Sequence, residues 1–243
     1  MKILGIIPAR YASSRFPGKP LVDIRGRSMV MRVYDQASQC SELAKVVVAT
    51  DDKRIFAHVE ANGGAVVMTG EHHNSGTDRC LEALEIMQHE QHYDAVINIQ
   101  GDEPFIDPEQ IAQVAQILQQ SDDVQIATLV KKTSEKEELS DPNTVKAVTD
   151  ISGRALYFSR APIPWHRDEK MSPSGFTHVG IYGYKSEVLR QIAALPPAPP
   201  EITEKLEQLR WLYNGFTIHT AETAFESKGI DTPEDLSKLI NIG

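Results

Sequence analysis

Apolar positions along this chain fall into short continuous runs, separated by segments where they recur every three or four residues. "KILGIIP" (2–8) is such a run and predicts a strand. "SMVMRVYDQAS" (28–38) sets Met29, Val30, Val33, Tyr34 and Ala37 at helical spacing, with Ser28 as the expected N-cap. "AKVVVATDD" (44–52) predicts a second strand, and "KRIFAHVEANGG" (53–64) a helix stopped by glycine. "AVVMTG" is a third strand and "TDRCLEALEIMQHE" a helix. "DAVINIQGDEP" is a fourth strand, and "PEQIAQVAQILQQ" a helix with Pro108 in its first turn. Apolar strands alternating with helices give an α/β fold, a mostly parallel sheet with helices on both faces.

The rhythm changes after about residue 130. "EKEELSDPNTV" (135–145) is polar and reads as a loop. "RALYFSRAPIPW" and "THVGIYGYK" are aromatic-rich strand candidates, separated by the polar stretch 166–176. "LPPAPPE" (195–201) predicts a stiff extended connector. "KLEQLRWLYNG" predicts a helix closed by Asn214-Gly215, "TIHTAETAF" a strand, and "TPEDLSKLI" a last short helix. At 243 residues with 41% hydrophobic content, the expectation is one domain spanning 1–243.

Charge narrows the partners. The chain carries a net charge of -9, which argues against a general nucleic-acid ligand. No apolar stretch approaches the roughly 20 residues of a membrane helix. Lys2 before a short apolar run lacks the features of a signal peptide. Cys40 and Cys80 have no paired spacing, so neither a disulfide framework nor a zinc site is expected. A cytoplasmic protein follows as the expectation.

Against that acidic background the loop after the first strand stands out. "IIPARYASSRFPGKPL" holds Arg10, Arg15 and Lys19 among Ser13, Ser14 and Gly18. In an open parallel sheet, ligands sit outside the carboxyl ends of the strands. Cations and small residues there suit a triphosphate. The loop is not a Walker A sequence, because Gly18-Lys19 is followed by Pro20; no G-x-G-x-x-G fingerprint occurs either. Asp102 in "NIQGDEP" follows a strand and a turn glycine, and a carboxylate there can hold Mg²⁺ or simply begin a turn. In "GIDTPEDL", Thr232 and Pro233 suffice to start a helix, which leaves Asp231 as a candidate second ligand or an exposed turn residue. "NSGTDR" opens a helix whose N–H groups could meet a nucleotide, with Thr77 or Asp78 as the cap. Asp51 reads as a turn residue and Asp52 as the cap of the helix at Lys53. His72 and His73 read as surface residues, and Trp165 and Trp211 as packing. His178 and Tyr182 are four apart in a strand and share a face. Glu207 and Gln208 lie off the Leu206, Leu209, Tyr213 stripe and read as solvated.

"PARYASSRFPGKPL", "SGTDR", "NIQGDEP", "DPNTVK", "YFSRAPIPW", "HVGIYGY", "LEQLRWLYNG" and "GIDTPEDL" together resemble the 3-deoxy-manno-octulosonate cytidylyltransferase (CMP-Kdo synthetase) family, in order and over essentially the whole chain. The first and third motifs are shared in looser form with other nucleotidyltransferases, including CMP-sialate enzymes; the last four are more specific. The resemblance implies a Rossmann-like nucleotidyltransferase fold, with a sugar-binding and dimerisation part at roughly 131–215. It implies that CTP and Kdo give CMP-Kdo and pyrophosphate for lipopolysaccharide synthesis, with Mg²⁺, in a cytoplasmic homodimer. It makes Arg10, Arg15 and Lys19 the triphosphate clamp, and Ser13, Ser75, Thr77, Arg79 and Gln100 nucleotide contacts. Asp102 and Asp231 become magnesium ligands. Gln100, Arg160, His178, Tyr182, Glu207 and Gln208 become the sugar-acid pocket. The alternatives are a related acid sugar (an 8-amino Kdo analogue or a sialate) and a non-catalytic nucleotide-binding module.

Overall fold

Strand β1 (Ile3–Ala9) is buried along almost its whole length, and it organises the first half of the chain. The computed structural model describes residues 1–12, 16–73, 75–168, 172–225 and 229–240, the last with side chains to 237. Ser13 and Arg15 lie outside the described residues. The chain divides into two compact units, Met1–Ala112 with Glu226–Gly243, and Gln113–Phe225.

In the first unit β1 is followed by the small hairpin β2 (Asp23–Ile24) and β3 (Arg27–Ser28). Then come α1 (Met29–Ala37), β4 (Leu43–Thr50), α2 (Lys53–Ala61), β5 (Val66–Met68), α3 (Gly76–Gln88), β6 (Ala95–Asn98) and α4 (Pro108–Gln120), within which the division falls. The strand order is β6-β1-β4-β5, every pair parallel. Ile3, Leu4, Ile6, Ile7, Val47, Val48, Val96 and Ile97 are all fully buried. Strands covered on both faces need no polar alternation, which is why they read as continuous apolar runs. Register decides what happens at the carboxyl edge. Ala9 pairs with Thr50, and Ile6 pairs with Asn98. The residues that follow these three strands therefore emerge side by side.

The second unit holds β7 (Ile126–Thr133), α5 (Lys136–Ser140), β8 (Lys146–Thr149), β9 (Ala155–Ser159), β10 (Gly175–Lys185), α6 (Ser186–Ala193), α7 (Pro199–Glu204), α8 (Gln208–Tyr213) and β11 (Ile218–Glu222). Here β10 runs antiparallel to both β7 and β8, β9 is antiparallel to β8, and β11 is parallel to β7. Helix α9 (Pro233–Ile240) belongs to the first unit.

Several local expectations are corrected. Ser28 stands at the N-cap of α1, but its hydroxyl bonds His58 Nε2 at 2.7 Å rather than the helix. Ser75 caps α3, in a reciprocal pair with Asp78, so neither Thr77 nor Asp78 is the cap. The polar segment at 135–145 contains α5. The proline-rich connector turns helical at Pro199, because prolines fit the first helical positions, where no N–H is required. Asp52 caps α2 as expected, accepting from the N–H groups of Arg54 and Ile55. Trp211 is buried, but Trp165 is 77% exposed and Tyr213 63%.

Candidate active site

The cationic loop, the β6 turn and the C-terminal segment meet around one ammonium. Lys19 Nζ donates to Asp102 Oδ2 at 2.8 Å and lies 3.4 Å from Asp231 Oδ1. The Lys19 side chain is 13% exposed, so both carboxylates meet a cation largely removed from water. Local chemistry brings each group there. Gly18 adopts φ +74, and its N–H donates to the Tyr11 carbonyl at 3.0 Å, closing the loop on itself just before Lys19. A Cβ at Gly101 would stand 2.6 Å from the Pro8 carbonyl oxygen, so only glycine lets the β6 turn lie against β1 and present Asp102. Asp231 is placed by its neighbour. Ile230 is fully buried against Ile24 and Met29, and its N–H donates to the Asp102 carbonyl at 2.9 Å. Thr232 and Asp235 cap α9 reciprocally, which leaves the Asp231 carboxylate to face Lys19.

These groups line a cavity of about 380 Å³, together with Pro8, Ala9, Arg10, Gln100 and Gly101. Arg10 is 44% exposed at its rim, and its Nη2 donates to the Glu71 carbonyl at 3.4 Å. Ser75 and Thr77 open α3, but their side chains are committed: Ser75 to the cap, and Thr77 to the interior at 2% exposure. Arg79, expected as a nucleotide contact, is instead 1% exposed and bonded to Thr69 and Asp51. A buried arginine on a helix cannot be told from a surface one when neighbouring residues are polar. His73 is also buried, paired with Glu82, contrary to its expected surface position.

Asp102 and Asp231 supply two hard oxygen donors that already converge on one positive charge. Mg²⁺ is commonly bound through one or two protein carboxylates plus phosphate oxygens and water, and this donor set fits it.

In the second unit a polar and aromatic group forms around β10. The register shifts between Val179 and Tyr182, yet the His178 and Tyr182 rings end 5.1 Å apart. Thr128 Oγ1 lies 2.7 Å from the Ile181 carbonyl and 3.0 Å from His178 Nε2. Its single proton goes to the carbonyl, so Nε2–H of His178 donates to Thr128 and Nδ1 remains an acceptor. Burial lowers the His178 pKa to about 4, which keeps the ring neutral. Burial, then the Glu207 charge, pushes the Tyr182 phenol well above its ordinary range. Its hydroxyl is buried without a protein partner. Gln208, expected as solvated, is buried at the start of α8. Arg160 is braced: its Nε donates to the Glu204 carbonyl at 2.7 Å and its Nη1 to the Pro142 carbonyl at 3.0 Å. Lys146 supports the same segment. It is fully buried, and its Nζ donates to the carbonyls of Asp141, Thr144 and Arg160.

A family model described as cytidylyltransferase matches residues 4–223. A protein of Cytophaga hutchinsonii named 3-deoxy-manno-octulosonate cytidylyltransferase is 50% identical, over 98% of this chain and 96% of its own. The chain belongs to the 3-deoxy-manno-octulosonate cytidylyltransferase family. A second member, from Parabacteroides distasonis, is 48% identical over 99% of this chain and 97% of its own. The solved structure of a CMP:2-keto-3-deoxy-manno-octonic acid synthetase complexed with CTP superposes with a TM-score of 0.93 at 43% identity, covering 100% of this chain and 98% of that one. A cytidylyltransferase of Leptospira borgpetersenii, 17% identical with a TM-score of 0.64, shares the fold. Asp51, read from the sequence as a turn residue, stands directly after β4 at the same carboxyl edge as Arg10 and Asp102, and its carboxylate meets Arg79 and Arg10.

Proposed function

We infer that this chain performs its family's reaction with the residues described above. CTP and 3-deoxy-D-manno-octulosonate give CMP-Kdo and pyrophosphate, which activates Kdo for lipopolysaccharide synthesis. The anomeric hydroxyl of Kdo attacks the α-phosphorus of CTP. The bond to the bridging oxygen breaks, pyrophosphate leaves with its electron pair, and the hydroxyl proton is released. The observation that carries the residue assignment is the convergence of Lys19, Asp102 and Asp231 on one cavity rimmed by Arg10.

Phosphoryl-type transfer depends mainly on positioning and charge neutralisation. Lys19, Arg10 and Arg15 neutralise charge on the departing pyrophosphate, and Ser13 contributes a nucleotide contact. Gln100 and the backbone of the first turn of α3, at Ser75 and Thr77, border the nucleotide. Asp102 and Asp231 would hold Mg²⁺, which when bound supplies Lewis acidity toward phosphate oxygens. His178 Nδ1, the Tyr182 hydroxyl, Glu207 and Gln208 read sugar hydroxyls, and Arg160 meets the sugar carboxylate. A cytoplasmic site fits the use of CTP. A homodimer is supported by β9, which pairs with β8 and leaves Leu156 58% and Tyr157 40% exposed.

The deciding test is pyrophosphate release with CTP, Kdo and Mg²⁺, repeated with the other three nucleotides, with a sialate and with the 8-amino analogue of Kdo. Turnover confined to CTP and Kdo is expected. CTP binding in calorimetry without pyrophosphate release on adding any of these acids would reject catalysis.

A further inference from the structure

Arg79 poses a problem of charge. A guanidinium that is 1% exposed must be compensated, and it has two partners in reach. Its Nη1 donates to Thr69 Oγ1 at 2.5 Å, and its Nη2 to Asp51 Oδ2 at 2.7 Å. That same carboxylate oxygen stands 3.5 Å from Arg10 Nε. The three groups form a line from the interior to the cavity rim: Arg79 buried, Asp51 13% exposed, Arg10 44% exposed. The register of β1 on β4, which pairs Ala9 with Thr50, brings Arg10 and Asp51 together.

We infer that Asp51 is a positioning residue for the nucleotide triphosphate: held from behind by Arg79, its carboxylate orients Arg10 toward the cavity without cancelling the charge of Arg10. This rests on the reading of Arg10 as a triphosphate clamp. A carboxylate alone beside Arg10 would hold the guanidinium but leave a net charge near zero facing the phosphates. Adding the buried Arg79 makes the trio +1, so one positive charge remains for the ligand. Arg79 is fixed in a low-dielectric interior, where its hold on Asp51 is stronger than it would be in water. The half-exposed Arg10 chain is thereby ordered before the ligand arrives, which lowers the entropy cost of binding.

The test is calorimetric titration of CTP, pyrophosphate and CMP into the full-length wild type, Arg10→Ala, Asp51→Asn and the double variant. In Asp51→Asn an amide oxygen can still accept from Arg79 and stand near Arg10, but the negative charge that holds and orients Arg10 is gone. Coupled neighbours differ enough that CTP and pyrophosphate binding should each weaken about tenfold. CMP lacks the outer phosphates and should bind as before. In the Arg10→Ala background the Asp51 change should add less than about twofold. If the two losses multiply, or if CMP binding falls equally, Asp51 serves only the fold and the inference is overturned. If Arg10→Ala itself leaves CTP and pyrophosphate binding unchanged, the clamp reading fails first and takes the inference with it. Should Asp51→Asn fail to fold, the paired change Asp51→Asn with Arg79→Gln removes the buried charge as well. The same tenfold loss, again absent from CMP, is expected there, and wild-type affinity would overturn the inference.

Discussion

Ile230→Ala tests whether Asp231 is placed by apolar burial rather than by its own charge. Ile230 is fully buried against Ile24 and Met29, with Phe16 and Leu236 packed on the same cluster. Its N–H donates to the Asp102 carbonyl, so the two carboxylates are tied through one peptide group. Truncation to alanine in such a site costs about 2–5 kcal/mol. The cluster joins Ile230 and Leu236 of this segment to Phe16, Ile24 and Met29, so the loss falls first on docking of the segment 229–237. A value near 3 kcal/mol shifts the docked-to-undocked ratio by about two decades. Asp231 is half exposed and its oxygen stands 3.4 Å from Lys19 Nζ, so this long contact contributes less than the burial of Ile230 and does not hold the segment alone. Amide hydrogen exchange reads the docking directly: the Ile230 amide should exchange about two decades faster, while amides of β1 and β4 keep their protection. Turnover should fall toward that of Asp231→Asn. Unchanged exchange at Ile230, or full activity with the segment demonstrably released, would refute the reasoning.

Further outcomes follow from other contacts. Lys19→Ala and Asp102→Asn should each lower kcat by about 10² to 10³ with the melting temperature preserved, as loss of one preorganised electrostatic contact does; near-normal turnover in either purified variant removes that residue from the mechanism. Lys146→Met removes the donor shared by three part-buried carbonyls, so chemical denaturation should show a loss of about 1–3 kcal/mol and the KM for Kdo should rise more than that for CTP. His178 titrates at about 4 when folded and near 6.5 when unfolded, so between these values the unfolded chain binds more protons. Stability should therefore rise with pH across that window and level off above it; His178→Gln should flatten the slope measured by urea unfolding, and an unaltered slope counts against the assignment. Leu156→Glu on β9 should shift sedimentation to the monomer, and an unchanged mass would rule out this edge as the dimer contact.

The first unit was almost fully legible along the chain, because its signals are local. Parallel strands buried on both faces read as apolar runs, and helices announce themselves by spacing, by Asp52 at a cap and by Gly63 after α2. The second unit was less legible. Strands β7 and β8 and helix α6 were not predicted, although Ile126–Val130 of β7 is a continuous buried run; β8 is harder to read because Lys146 is polar yet fully buried. Motifs named the cations and both acidic residues. They could not say that Asp231, 212 residues from Lys19, would share its ammonium with Asp102, because that depends on Ile230 finding its apolar niche. Nor could they reveal that Arg79 turns inward to Asp51, 28 residues away, since burial is a property of the assembled core and not of any stretch of sequence. Residue type and spacing determined which chemistry the chain could offer; the register of β1 between β4 and β6 decided which of those residues stand together.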